Sequence, residues 1–503
     1  MAAMIASPQL MQSATRAWIR ALSMAFVTCM LPLAKVVTSS IAEATRDPLR
    51  ERSRCGVQSH HQNEGSFKMA SPGTESKRRI SPRPRPELTD RLRRETHWMK
   101  RSTKAESERF RMLAILAVAV LLAMATWFSA SAVVPQLREE WGLSDGAAAW
   151  LTIAVQLGFV FGAVLSSLLN LSDIVPVRSV MIGACAGAAS ANLLILAADG
   201  PGLAIPLRFL TGVFLAGLYP PALKLMATWF VKGRGTALGV MVGALTLGSA
   251  LPHLVNALGG LDWRAVIWTT SLSTAIGGVI IVLLVREGPS PFPRAVFDIR
   301  QVGLVFRNRK VRLASLGYFG HMWELYAMWA WFIVFFRASL ADRGSADGAF
   351  AAAATFAVIG VGAVGCYLGG VLADRWTKER VTIWSLTISG SCAAIIGLTF
   401  GAPPPVVLVV ATLWGLAVVA DSAQFSGMVT EYADQRYVGT ALTLQLAGGF
   451  LLTVLTIWLI PLFENALSWR WAFLLLVPGP IVGIAAIRRL QVSGALGGRA
   501  DST

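Results

Sequence analysis

The stretch Gly370-Val371-Leu372-Ala373-Asp374-Arg375-Trp376-Thr377-Lys378-Glu379-Arg380 closes one long apolar segment and opens another. Residues 349–372 before it and 381–401 after it contain no charged side chain. Each is near the roughly 20 residues that an α-helix needs to cross a hydrocarbon core about 30 Å thick. A bilayer interior offers no water to satisfy backbone N–H and C=O groups, so such segments must be helical. Working outward, the same reading predicts spans at 112–134, 147–170, 179–198, 204–228, 236–259 and 265–285 in a first set. The second set is 313–336, 349–372, 381–401, 405–428, 439–462 and 471–487. The predicted fold class is therefore all-α and integral to a membrane, with twelve transmembrane helices.

Composition agrees, since 54% of the residues are hydrophobic and only 15% charged, which excludes one soluble core. The net charge of +17 does not signal nucleic acid, because residues 1–111 alone hold 21 Lys/Arg against 10 Asp/Glu and no nucleic-acid module accompanies them. The five cysteines form no Cys-x-x-Cys pair, so neither a disulfide framework nor a metal site is indicated. The sequence has no Gly-Lys dipeptide for a phosphate-binding loop and no His-Glu-x-x-His pattern. No cofactor and no enzymatic activity are expected.

Three landmarks recur at nearly one offset. Gly235-Thr236-Ala237-Leu238 returns as Gly439-Thr440-Ala441-Leu442 after 204 residues, Asp262-Trp263-Arg264 as Ser468-Trp469-Arg470 after 206, and Asp173 as Asp374 after 201. Each pair sits at the same span boundary, which divides the chain into homologous halves of six helices. The expected units are a basic extension (1–98), a six-helix bundle (112–286), a connector (287–312), a second bundle (313–490) and a tail (491–503). Residues 286–312 carry seven Lys/Arg. With the N-terminus cytoplasmic, the inner loops and C-terminal tail hold 17 Lys/Arg against five in the outer loops, so both termini are expected in the cytoplasm and the protein in the plasma membrane. The extension holds one apolar run, 21–34, too short to span; it reads as a signal-like region, a surface helix, or sequence upstream of a start at Met69 or Met99.

The Gly370 to Arg380 stretch is similar to the inner-loop signature of the major facilitator superfamily, carried by Gly370, Asp374, Arg375 and Arg380. Its first-half copy, 169–178, keeps Asp173 and Arg178 but has lost the glycine and gained Pro176. Arg208-Phe209-Leu210-Thr211-Gly212 resembles a second signature, Arg-x-x-x-Gly. The resemblance covers about 112–490 and implies two pseudo-symmetric six-helix bundles that rock about a midplane site to give alternating access. It also implies that Asp173 approaches Gly439 and Asp374 approaches Gly235; the plain alternative for Asp374 is a pair with Arg375, Lys378 or Arg380. Gly239-x-x-x-Gly243 and Gly365-x-x-x-Gly369 suggest close packing of helices 5 and 8, as sliding faces or as ordinary small-residue contacts.

Charges inside spans are expensive and rank first as site candidates. Glu324 lies mid-span with His321 one turn earlier, and Asp421 lies mid-span with Gln424 on its face. Glu324 is expected to carry a coupling proton, with His321 or Asp421 assisting and Arg208 supplying an opposed cation. Each also has a structural reading: a polar tie between helices for the acids, a snorkelling side chain for Arg208 and Lys224, a packed histidine for His253. Tyr318 and Trp127 are candidates for an aromatic pocket, with Ser129 and Gln156 as weaker companions. The function expected is proton-coupled secondary transport of a small solute, against a passive facilitator or a receptor that does not transport. The partners expected are that solute, protons and the lipid bilayer, with no nucleic acid.

Overall fold

A computed structural model describes residues 106–230, 233–258, 262–290, 302–434 and 436–500; the expected 1–98 extension and residues 291–301 of the connector lie outside them. Among the described residues, twelve helices are long and apolar enough to cross a membrane. In the first half they are α1 (Glu106–Thr126), α2 (Asp145–Leu168), α3 (Val177–Ala197), α4 (Pro201–Trp229), α5 (Arg234–Leu258) and α6 (Trp263–Leu284). In the second they are α7 (Arg309–Ala341), α8 (Gly348–Arg375), α9 (Lys378–Thr399), α10 (Pro404–Tyr432), α11 (Val438–Leu467) and α12 (Trp469–Val492). No strand occurs among the described residues.

Helix starts follow local chemistry. Ser144 accepts from the Ala147 N–H ahead of α2, Asn308 from Lys310 and Val311 at α7, Asp347 from Phe350 at α8, and Thr377 from Arg380 at α9. These side chains satisfy N–H groups that lack an intrahelical partner. Pro201 and Pro404 open α4 and α10, where a missing N–H costs nothing.

Several helices are interrupted where the sequence predicts continuity, α8 at Val361 and α12 between Ala472 and Pro478 among them, and three such breaks bear on the site. The expected span 112–134 tightens into a 3-10 turn at Met124–Thr126, loosens over Trp127 to Ala130, forms a second 3-10 turn at Ser131–Val133 and resumes as an α-helix at Val134–Trp141. Helix α4 breaks between Leu215 and Tyr219, and α10 between Ala417 and Ser422, 202 residues further on. Pro220 and Pro221 account for the first of these two, since neither donates to the preceding turn. The α4 and α10 breaks therefore follow the same repeat as the sequence landmarks, whereas α7, the counterpart of α1, is continuous.

Two seams join the bundles. Along one, α5 lies on the face of α8 that carries Ala363, Cys366 and Gly370; a Cβ on Gly239 would stand 2.5 Å from the Cys366 carbonyl oxygen. Along the other, α2 meets α11 through Ser167 and Thr443 hydroxyls at 3.1 Å, Phe159 and Phe450 rings at 4.7 Å, and an Asn465 to Asp145 hydrogen bond at 3.2 Å. Gly239 and Gly243 of α5 both lie directly against α8. Gly365 and Gly369 press on the Leu416 and Ala420 carbonyls of α10 within their own bundle, because they occupy a different face of α8 from the one α5 covers.

Candidate functional site

Between the bundles lies a cavity of about 80 Å³ walled by α4, α5, α7, α10 and α11. Its polar contributors include Tyr219, Tyr318, His321, Tyr326 and Ser422, and aliphatic and aromatic carbon forms most of the rest. The break in α4 places Tyr219 at the start of its second segment, and the break in α10 does the same for Ser422. The interruption in α1 turns Trp127 and Phe128 toward the same region. Phe128 stacks on Tyr326 with ring centroids 6.0 Å apart, and Trp127 lies 5.9 Å from Tyr326 and 5.7 Å from Phe450. These rings seal the cavity against α1.

His321 and Asp421 form the ionisable pair of the site. Both are buried, with His321 Nδ1 3.0 Å from Asp421 Oδ1 and His321 Nε2 2.9 Å from Ser422 Oγ. The Nδ1 to Oδ1 approach is close but is not aligned as a hydrogen bond, and neither Asp421 oxygen has a directed donor among the described residues. Asp421 stands at the N-cap position of the segment Ser422–Tyr432 without capping it. A helix start favours a negative charge there. His321 and Ser422 reach the cavity wall and Asp421 lies behind them.

Glu324 stands apart from the cavity, in the place of a polar tie between helices. Its Oε2 accepts from Ser389 Oγ at 2.9 Å and its Oε1 from Trp414 Nε1 at 2.6 Å, so the carboxyl ties α7 to α9 and α10 and does not line the cavity. The two positions three residues apart on α7 diverge by about 60° around the axis, enough to face different neighbours. The expectation that Arg208 opposes Glu324 is corrected. Arg208 is fully buried in the first bundle and donates to the carbonyls of Leu151 (3.2 Å), Thr126 (2.7 Å) and Trp127, to Ser129 Oγ (3.0 Å) and to Asn192 Oδ1 (3.1 Å). Asn192 in turn donates to Thr270 and Ser271 of α6. The arginine thus closes the carbonyl groups left open by the break in α1 and is not part of the cavity wall.

The remaining candidates distribute as follows. Gln424 reaches the Gly369 carbonyl of α8 at 3.4 Å. Tyr318 lines the cavity and its ring lies 6.2 Å from that of His321. Trp127 Nε1 and both polar atoms of the Gln156 side chain have no hydrogen-bond partner among the described residues, nor has either nitrogen of His253. Lys224 is half-buried on α4. No group of three or more His, Cys, Asp or Glu side chains that could hold a metal occurs among the described residues.

At the face where α1 begins, Asp374 Oδ2 accepts from the Thr236 N–H (3.0 Å) and from Thr236 Oγ1 (2.7 Å), against Gly235 at the start of α5. Lys378 pairs with Glu431, while Arg375 and Arg380 are exposed. Arg178 donates to the Ile281 carbonyl (3.2 Å) and to that of Val282 near the end of α6, and Gly370 lies against Gly235. The side chain of Asp173, and with it the expected contact with Gly439, lies outside the described residues. Sequence reasoning passed over Tyr219 in the cavity wall and Asn192, Ser389 and Trp414 around it; Asn192 carried a signal, as an amide inside a predicted span.

A family model described as Major Facilitator Superfamily matches residues 116–441. The puromycin resistance protein pur8 of Streptomyces alboniger is 33% identical over 159 residues, 30% of this chain and 31% of that protein. The uncharacterized MFS-type transporter EfpA of Mycobacterium tuberculosis is 31% identical over 34% of this chain and 32% of its own, and the gentisate transporter of Corynebacterium glutamicum is 30% identical over 31% and 35%. The chain spans about a third of the length of these curated relatives. A crystal structure of a variant of the nucleoside transporter NupG superposes with a TM-score of 0.60 at 12% identity, covering 75% of this chain and 99% of that one. That likeness is one of fold.

Proposed function

This chain belongs to the Major Facilitator Superfamily, and from that premise we propose that it is a secondary active transporter that couples protons to the movement of a small organic solute. The carrying observation is the His321–Asp421 pair, with His321 at the wall of a cavity between the two bundles and Asp421 behind it. A group that binds a proton differently in two conformations links that proton to their exchange. The aromatic wall suits an organic solute, and relatives named for puromycin resistance and gentisate transport support the same class. The charge asymmetry of the loops supports cytoplasmic termini, so the Asp374 to Thr236 contact would close the cytoplasmic side.

Purified full-length protein in vesicles tests this. An imposed pH gradient should drive accumulation of at least one member of a panel of small aromatic solutes, with dye-reported proton movement. His321→Gln should uncouple that accumulation while leaving the melting temperature within a few degrees. Solute flux that is equal with and without the gradient would establish a passive facilitator instead.

A further inference from the structure

We propose that the solute is a monovalent organic cation, exchanged for the proton of the His321–Asp421 pair. This rests on the transporter reading above and names its substrate class. The reasoning is a charge balance over the site. With the proton bound, imidazolium and carboxylate sum to zero; when it leaves, a neutral imidazole faces a lone carboxylate and the site carries one negative charge. No Lys or Arg occurs among the described residues of the cavity wall, so nothing else there supplies positive charge. Glu324 and Cys366 lie close to Asp421, Tyr318 and Tyr219 line the same cavity, and each of these can only add negative charge on ionising. One monovalent cation therefore restores neutrality, whereas an anion would have no counter-charge except an imidazolium already paired with Asp421.

Three further features favour the cation. Both Asp421 oxygens lack a directed donor, unlike those of Glu324, so the carboxylate keeps its capacity to accept. The rings of Tyr318, Tyr326, Trp329 and Phe450 border the cavity, and aromatic faces attract organic cations. The two helix starts near it do not form an anion cradle. That of α4 has prolines at 220 and 221 with no N–H to offer, and at that of α10 the Ser422 and Gln424 N–H groups already bond to the Val419 and Asp421 carbonyls. In the exchange step no covalent bond other than N–H changes: the cation enters, the imidazolium proton passes to water on the open side, and net charge is conserved.

The test uses full-length protein with three probes that share a ring and differ in charge: benzyltrimethylammonium, benzyl alcohol and benzoate. The quaternary cation should raise the melting temperature and release about one proton per cation bound, with apparent affinity falling roughly tenfold per pH unit once the pair is protonated. His321→Gln should keep cation binding and lose proton release, and Asp421→Asn should lose both. Benzoate binding with proton uptake would overturn the cation assignment while leaving proton-coupled transport standing. If no solute of any charge binds or moves protons in the vesicle panel, both readings fail together.

Discussion

A single methyl group on Gly239 tests whether α5 and α8 part during the working cycle. Its Cβ would stand 2.5 Å from the Cys366 carbonyl oxygen and 3.4 Å from Gly370 Cα. Both neighbours are backbone, so neither can swing aside and the seam must open by several tenths of an ångström. Overpacking of this kind costs about 1–3 kcal/mol. The strain exists only while the seam is shut, so it shifts the equilibrium toward the state with α5 and α8 apart by roughly 5- to 150-fold. Cys366 reports the shift directly, because its thiol is buried at the seam and donates to the Val419 carbonyl. In a background with the other cysteines replaced, maleimide labelling of Cys366 in Gly239→Ala should accelerate by that factor. Gly243→Ala is the internal control, since its Cβ would meet the Ala363 carbonyl at 3.1 Å and needs only a small adjustment. Gly365→Ala, with its Cβ 1.9 Å from the Leu416 carbonyl inside one bundle, should instead lower the melting temperature. Labelling of Gly239→Ala at the wild-type rate would refute a seam that opens.

Glu324→Gln should retain proton-driven accumulation but lose about 1–3 kcal/mol of stability, because Ser389 and Trp414 donate to different carboxylate oxygens and the amide nitrogen that replaces one of them cannot accept; loss of coupling with unchanged melting would return Glu324 to the mechanism. Arg208→Lys keeps the charge but cannot span the acceptors that the guanidinium reaches. Losing two of those hydrogen bonds costs about 1–3 kcal/mol in a membrane interior, seen as a lower melting temperature. On the face opposite the termini, hydrogen bonds from Arg264 and then Trp263 hold the Glu140 carboxyl below its usual 4.5. A depressed value means the contribution of this contact is complete above about pH 4.5 and fades as pH falls through the lowered value. The acid limb of the melting curve should therefore flatten in Glu140→Gln.

The spans, the two halves and the loop signature were legible because they depend on short-range chemistry: uninterrupted apolar runs, a charged boundary, and repeated glycines and aspartates at span ends. The interruption of α1 was not, since residues 112–134 contain neither proline nor glycine and nothing local marks Trp127 to Ala130 as non-helical. The list of intramembrane charges was legible, and their facing was not. Glu324 and His321 sit one turn apart on one helix, yet Glu324 meets Ser389 and Trp414 while His321 meets Asp421 and Ser422. Spacing along a helix cannot decide this, because the answer depends on which distant helices cover each side.

Arg208 and the break in α1 solve each other's problem. Free carbonyls at Thr126 and Trp127 would be costly in a bilayer, and a buried guanidinium without acceptors would be costlier still. Joined, they hold the α1 interruption in one geometry, and that geometry delivers Trp127 and Phe128 to the cavity edge beside Tyr326. The break in α10 is left unmended in the same sense. Asp421 stands at its helix start with no directed donor, and the charge that fold stability does not consume lies next to the space a solute would enter. Arg208 and Glu324 are thus bound into the scaffold by directed hydrogen bonds, whereas Asp421 has His321 beside it and no directed donor among the described residues.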